Sequence, residues 1–374
     1  MKELKIFLVA AARPNFMKIA PLYHALIKEE WANLKIIHTG QHYDINMSDS
    51  FFHDLLLPNP HINLEIGSGT HAEQTGRVMI AFEKELLKEK PDLIIVVGDV
   101  NSTMACTIAA SKLRVKVAHL EAGLRSFDRT MPEELNRLVT DALADILWTP
   151  SPDADRNLIN EGVIPSRISR VGNIMIDSLE LLRTKIESEN EMKNYNIQPR
   201  EYAVTTIHRP SNVDSREQLE KLCNILNKIS EKIKLLLPLH PRTRTRLKEF
   251  GLDNSLKSND RIIITEPLSY IKFMHLVFHA KFVVTDSGGI QEETTYLGIP
   301  CLTLRENTER PITIEQGTNS LTNLSSVLMD IEEILHGKYK KGTVPELWDG
   351  KTAGRVVDDI IKHFNHCCPN NSNF

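Results

Sequence analysis

The sequence predicts an α/β protein built from two doubly wound parallel sheets, and three observations carry that prediction. Short apolar runs alternate with amphipathic stretches almost from end to end. The runs are rich in β-branched residues and apolar at consecutive positions, which is the pattern of strands covered on both faces. At 374 residues the chain exceeds one ordinary domain, and the alternation begins afresh after residue 173. Such alternation implies parallel strands joined by right-handed helical crossovers.

In chain order, runs at 4–9, 34–38, 93–97, 116–119 and 145–148 read as strands bounded by turn signals. Helical periodicity fills the gaps at 74–90, 102–113 and 133–143. A polar, charge-rich segment at 184–200 reads as a helix and loop joining two halves. Strands recur at 203–206, 234–238, 262–265, 282–285 and 300–303, with helices at 217–232 and 270–279. The expected domains are therefore a Rossmann-like domain at 1–174 and a second at 175–351. By fold analogy, a terminal helix at about 352–366 packs back on the first, and the Pro/Asn/Ser tail after Cys368 frays. Two such domains face one another across a cleft. Ligands of open α/β sheets bind beyond the carboxyl ends of the strands, so motifs just after strand ends carry the most weight.

Composition excludes several classes. A net charge of -4 and a pI near 6.4 give no electrostatic footprint for nucleic acid. The cluster Arg242, Arg244 and Arg246 reads as a solvated helix face. Aromatic residues at 6% offer no stacking platform for single strands. The first apolar run meets Arg13 too soon to span a membrane and lacks the small-residue cleavage site of a signal peptide. The five cysteines, Cys106, Cys223, Cys301, Cys367 and Cys368, have no zinc-ligand spacing, which points to reduced thiols in the cytoplasm. No His-Glu-x-x-His, paired Cys-x-x-Cys or Walker lysine motif is present, so no metal or other cofactor is expected.

The residues that carry chemistry follow strand ends. Ser287-Gly288-Gly289 opens a helix after the run at 282–285, offering N–H groups and a positive dipole end that suit a phosphate. The alternative is a glycine-rich turn with an N-cap serine. Glu293, one turn on, stands where a carboxylate would accept hydrogen bonds from a ribose. Arg13 and Lys18 follow the first strand and are diphosphate candidates, Arg as a fork and Lys as a point charge; each also fits a surface role. Gly98-Asp99 ends a very apolar strand, so Asp99 is either a cleft carboxylate or the N-cap of the next helix. His119 and Glu121 are two apart and share a face if the strand continues. Pro132-Glu133-Glu134 starts a helix, which accounts for one of the two glutamates as structural. His208, after the first strand of the second domain, is either a phosphate donor or proton carrier, or a satisfied loop histidine. His240 reads as structural.

Taken together the segments resemble the non-hydrolysing UDP-N-acetylglucosamine 2-epimerases, a family of the two-domain GT-B type. The matching pieces are Ala12-Arg13-Pro14-x-x-x-Lys18, Thr39-Gly40-Gln41-His42, Gly98-Asp99-x-x-Ser102-Thr103, His119-Leu120-Glu121-Ala122-Gly123-Leu124-Arg125 and Pro132-Glu133-Glu134-x-Asn136-Arg137. They continue through Gly172-Asn173, His208-Arg209, Thr285-Asp286-Ser287-Gly288-Gly289-Ile290-Gln291-Glu292-Glu293 and Thr308-Glu309-Arg310-Pro311. They run in family order over nearly the whole chain. The resemblance implies that Arg13, Lys18, His208, Ser287, Gly288, Gly289 and Glu293 hold UDP, that Phe273 packs the uracil, and that Arg310 adds a phosphate or sugar contact. It implies Asp99, Glu121 and Glu133 as acid/base carboxylates, with His208 beside them, and a homodimer supplying cell-surface polysaccharide synthesis.

The implied reaction explains the set. Carbon 2 of the sugar has no adjacent carbonyl, so UDP leaves carbon 1 as a carboxylate takes the C2 proton, giving a cyclic enol ether (a glycal). Re-addition of UDP with a proton on the opposite face inverts the centre. That demands two proton-transfer groups, a cationic clamp and exclusion of water. Asn15, Ser211 and Ile312 replace residues usual in the family, which leaves open a sugar altered at carbon 3 or 6. A hydrolysing epimerase, a retaining glycosyltransferase and an inactive UDP-sugar sensor are the competing readings; the sensor would not need the three carboxylates.

Overall fold

The protein is described by a computed structural model covering residues 2–40, 52 and 54–365. The Gln41-His42 part of one motif and the tail cysteines Cys367 and Cys368 lie outside the described residues. The strands of the first unit are β1 (Leu4–Ala10), β2 (Ala32–His38), β3 (Ile62–Asn63), β4 (Leu93–Val97), β5 (Lys116–Leu120), β6 (Ile146–Thr149) and β7 (Ile168–Arg170). They form one parallel sheet in the order β3-β2-β1-β4-β5-β6-β7. The second unit has β8 (Tyr202–Thr206), β9 (Lys234–Pro238), β10 (Ile262–Thr265), β11 (Val283–Thr285), β12 (Cys301–Leu304) and β13 (Asn319–Thr322). These pair in parallel as β10-β9-β8-β11-β12-β13. The expected α/β class with two doubly wound parallel sheets is what the chain forms.

Consecutive burial follows from this topology. All five residues of β4 are buried, because helices cover both faces of a parallel sheet. In the second unit Leu219, Leu222, Cys223, Leu226 and Ile229 recur at helical spacing along Arg216–Lys232 and join one core with Leu235, Leu237, Phe282, Val284 and Leu302. The first unit comprises residues up to Leu181 together with those from Glu346 onward, and the second is Leu182–Pro345. The outward crossing therefore runs inside one helix, Ile174–Ser188. The last helix, Thr352–Asn365, belongs to the first unit. Asp177 accepts from its Thr352 and Ala353 N–H groups, and its Asp359 accepts from Trp148 Nε1 at 2.8 Å and Ser169 Oγ at 2.9 Å.

Three strands were not expected from the sequence: β3, β7 and β13. Each has only two to four residues, and each lies at one edge of its sheet. Edge strands are covered on fewer sides, so they need no apolar run, and Asn319-Ser320-Leu321-Thr322 has none. The run expected at 145–148 forms a strand one residue later; Asp145 still meets β5, its N–H donating to Val117 O at 2.8 Å while its carboxylate, in place of its carbonyl, accepts the Val117 N–H at 2.8 Å. The helix expected at 74–90 begins at His71, where Thr70 and Glu73 form a capping box. Among the described residues no helix is long and apolar enough to cross a membrane. Cys106, Cys223 and Cys301 are buried free thiols.

In each sheet the strand order reverses at one point, between β1 and β4 in the first and between β8 and β11 in the second. Crossover helices leave in opposite directions there and open a crevice at the strand carboxyl ends. Arg13 and Lys18 follow β1, Asp99 follows β4, His208 follows β8, and the Ser287-Gly288-Gly289 turn follows β11.

Candidate active site

In the first unit the helix Arg13–Leu26 starts directly after β1, with Pro14 in its first turn, where a missing N–H costs nothing. Asn15 is buried and wholly used: its side-chain oxygen accepts from Ala12 N at 3.0 Å and Ala11 N at 3.3 Å, and its Nδ2 donates to Val97 O at 3.0 Å. That amide ties the end of β1 to the end of β4. Pro21, further along, leaves the Met17 carbonyl without its helical donor, and Ser178 Oγ donates to it at 2.6 Å. The first half of the helix is thus held at two points, and Lys18 points from it to Glu121, forming an ion pair whose side chains are 10% and 4% exposed.

Glu121 does not continue β5. It has φ +74°, and its N–H and that of Ala122 both donate to Trp148 O, at 3.2 and 3.0 Å. The strand therefore ends at Leu120, and the expected shared face of His119 and Glu121 does not form. A glutamate held in the left-handed region stores strain that its surroundings must over-determine. One carboxylate oxygen, Oε2, is held by Lys18; the other, Oε1, is buried with no hydrogen-bond partner. Gly98, at φ +67°, lies against the pair: a Cβ there would stand 3.0 Å from Lys18 Nζ and 3.6 Å from Glu121 Oε2. Glycine at that position lets the chain turn and lets the ammonium approach.

Asp99 is not an N-cap, since Val100 takes that position for the helix Asn101–Lys112. Its Oδ2 accepts from Arg137 Nη2 at 2.9 Å and Nε at 3.1 Å, and its side chain stays 30% exposed. Glu134 is the structural glutamate: it accepts from Ser126 N, Ser126 Oγ and Phe127 N, and pairs with Arg137 Nη1. Glu133, one residue earlier in the same first turn, is exposed. Beneath these, His119 is fully buried. Its Nε2 donates to Gly98 O at 2.9 Å, and its Nδ1 faces Asp141 Oδ1 at 2.6 Å. Burial pushes the Asp141 carboxyl up, but His119, Arg125 and the Gly123 N–H together hold it below its ordinary value.

In the second unit the organising group is Asp286, fully buried between β11 and the glycine turn. It accepts from the His208 and Arg209 backbone N–H groups and from Asn212 Nδ2, and it faces His208 Nδ1 at 2.9 Å. Burial raises this carboxyl, yet His208 and these donors bring it below its ordinary value. The result fixes the His208 ring by one nitrogen and leaves the side chain 36% exposed, against His240 at a ring separation of 5.0 Å. His240 also caps its own helix, accepting from Arg242 N. The helix Gly289–Leu297 has Gly288 as N-cap with no side-chain cap, so the N-cap-serine reading of Ser287 does not hold. Its first-turn N–H groups are therefore not occupied by a side-chain cap, which suits an anion. Arg310 packs against this turn: a Cβ on Gly288 would stand 3.0 Å from its Nη1. The guanidinium is paired with Glu292 at 2.9 Å and Glu309 at 2.5 Å. Glu293 is buried and accepts from Tyr270 Oη at 2.6 Å; burial, with Glu292 nearby, raises its carboxyl to about 7. Phe273 lies one turn beyond Tyr270 on the helix Tyr270–His279 and is half-buried.

Of the residues expected from the sequence, the structure brings Lys18 against Glu121, Arg310 against the Ser287-Gly288-Gly289 turn, and Tyr270 beneath Glu293. Arg13 and Glu133 are exposed at helix starts. Sequence reasoning gave Asp286 and Asn212 no role, and passed over Tyr270. Asp286 carried one signal, an aspartate lodged between a buried strand and a glycine turn; Tyr270 carried none.

A family model described as UDP-N-acetylglucosamine 2-epimerase matches residues 24–361. The chain is 44% identical over 365 residues to the UDP-N-acetylglucosamine 2-epimerase of Methanocaldococcus jannaschii, covering 95% of this chain and 98% of that protein. It is 39% identical over 363 residues to the UDP-2,3-diacetamido-2,3-dideoxy-D-glucuronate 2-epimerase of Pseudomonas aeruginosa, covering 96% and 100%. Among solved structures, that of the M. jannaschii UDP-GlcNAc 2-epimerase in complex with UDP-GlcNAc and UDP is similar at a TM-score of 0.87 and 43% identity, covering 96% of this chain and all of that one.

Proposed function

The chain belongs to the UDP-N-acetylglucosamine 2-epimerase family, and we propose that it interconverts UDP-N-acetylglucosamine and UDP-N-acetylmannosamine without hydrolysis. The observation that carries this reading is Glu121: a buried carboxylate with one oxygen held by an ammonium and the other unpartnered, which suits it to take a proton from carbon 2. The C2–H electron pair becomes the C1=C2 bond of the glycal as the C1–O bond breaks and UDP leaves. Addition of UDP back to C1, with a proton delivered to the other face of C2, completes inversion. Asp99 and Glu133 are the further acid/base groups in this proposal.

For UDP, the reading draws on the uncapped start of Gly289–Leu297 with Ser287, Gly288 and Gly289 for phosphate, and on His208, whose proton would neutralise charge on the departing diphosphate. Arg13 and Arg310 are proposed as further anion contacts, Glu293 as the ribose acceptor, and Phe273 as the uracil contact. We place the enzyme in the cytoplasm as a homodimer supplying cell-surface polysaccharide synthesis; light scattering checks the oligomer.

Proton NMR of the purified protein with UDP-N-acetylglucosamine in D2O tests the reaction. Deuterium at carbon 2 in a mixture of both UDP-linked epimers is expected, because the returning proton comes from solvent. Free UDP and free sugar as main products would make it a hydrolysing epimerase. The 39% identity to the P. aeruginosa enzyme favours one second reading, a 2,3-diacetamido uronate substrate. Turnover of that sugar and inertness toward the first would establish it.

A further inference from the structure

We propose that Lys18 is a positioning residue for Glu121 rather than a diphosphate ligand: its ammonium holds one carboxylate oxygen and aims the unpartnered one at the proton on carbon 2. This rests on the reading of Glu121 as the proton acceptor.

The geometry argues it in three steps. First, Lys18 is committed. Its side chain is 10% exposed, it stands in the second turn of a helix pinned by Asn15 and Ser178, and its ammonium is paired with Glu121 Oε2. A phosphate clamp is expected at the surface of a crevice, and at the head of the same helix it is Arg13 that is exposed. Second, Glu121 needs such a partner. Its backbone is held at φ +74°, so the side chain leaves the sheet from a strained position, and rotation about its own bonds would dissipate the aim that the strain secures. One ion pair to a single oxygen restrains the carboxylate while leaving the second oxygen with its lone pairs uncommitted. Third, three buried cations of the neighbouring elements are engaged elsewhere. Arg137, on the helix Pro132–Leu143, is divided between Asp99 and Glu134. His119 on β5 and Arg125 both face Asp141, and Arg125 also takes Glu161. Gly98 completes the arrangement, because a Cβ there would stand 3.0 Å from Lys18 Nζ and press on the ammonium.

A diphosphate clamp and a positioning cation differ in what their removal does. Losing a clamp weakens UDP; losing a positioning group lowers turnover by way of the group it positions. The test compares wild type, Lys18→Met, Lys18→Arg, Glu121→Gln and the double variant Lys18→Met/Glu121→Gln. UDP affinity is measured by calorimetry, and kcat and C2 deuterium exchange by NMR. Lys18→Met is expected to lose about 10²-fold or more in kcat, the scale of a mis-set acid or base, with UDP affinity within about threefold of wild type. Lys18→Arg recovers part of the rate, and the double variant is no slower than Glu121→Gln, since residues acting as one unit are not additive. If Lys18→Met weakens UDP tenfold while kcat at saturation holds, Lys18 is a clamp and the inference falls. It falls also if the two losses multiply in the double variant. Should Lys18→Met not fold, Lys18→Arg carries the same comparison: weaker UDP with intact kcat overturns the inference, and lower kcat with intact UDP affinity supports it. A wild type that leaves carbon 2 unexchanged with either sugar overturns the epimerase reading itself, which is a separate outcome.

Discussion

Replacing Glu293 by Gln should remove a pH dependence of stability from the second unit. The carboxyl is buried, accepts from Tyr270, and is raised from 4.5 to about 7. A raised carboxyl means the native state favours the protonated form. Its contribution is complete below pH 4.5, the unfolded value, and is lost as pH rises through about 7. At 1.36 kcal/mol per tenfold, the span is worth about 3 kcal/mol at most. Wild-type stability in this unit should therefore decline between pH 4.5 and 7 relative to the Gln variant, and run parallel to it above pH 8. Tryptophan fluorescence cannot report this, because Trp31, Trp148 and Trp348 all belong to the first unit. Hydrogen exchange read by mass spectrometry on peptides covering Gly289–Leu297 and its strand neighbours can. Equal pH slopes in the two proteins would refute the reasoning, since the slope would then belong to other groups. The same titration bears on ligand binding: if ribose hydroxyls donate to the carboxylate, UDP affinity rises from pH 6 to 8 in wild type and not in the variant.

Asp99→Asn, Glu121→Gln and Glu133→Gln should each lower turnover by about two to four orders of magnitude, with UDP affinity nearly unchanged; three near-normal rates would sink the acid/base assignment. Gly98→Ala should cost about 1–2 kcal/mol for a side chain at φ +67°, seen as a lower urea midpoint by tryptophan fluorescence, and should slow turnover by displacing Lys18; unchanged values of both would contradict the geometry. Asp286→Ala leaves the His208 and Arg209 N–H groups without their acceptor, so UDP affinity should fall tenfold or more and exchange at residues 206–212 should quicken; intact UDP affinity would show that the His208 loop holds itself.

What the sequence made legible is what is decided locally. The strands at the centre of each sheet are covered on both faces, so Leu93-Ile94-Ile95-Val96-Val97 has no polar residue to disguise it, and β1, β5, β8, β9 and β11 read nearly as clearly. The edge strands β3, β7 and β13 were not legible, because pairing on one side asks little of composition. Element ends were harder to read where a side chain makes a long-range bond. Asp145 bonds across to Val117, and Asp99, for which a cap and a cleft carboxylate were both open, turns to Arg137.

The candidate site divides along the same line. A glycine turn after a strand is a local signal, so the Ser287-Gly288-Gly289 segment could be singled out from its own residues. Ion pairing is not local. Lys18 and Glu121 are separated by 103 positions, and nothing near either residue says that they meet. Their meeting depends on the strand order that sets β1 beside β4 and β4 beside β5, so that Lys18, Gly98 and Glu121 come to the same end of the sheet from three separate crossovers. Reading a lysine after the first strand as a phosphate ligand is reasonable while its neighbours are unknown. It becomes the weaker reading once a buried carboxylate is found to pair with the ammonium. Asp286 teaches the same lesson in the second unit, where its four donors come from the far end of β8. In both units the group that would touch substrate stood at a recognisable strand end. The group that aims it came from the strand next door, and only the fold names that neighbour.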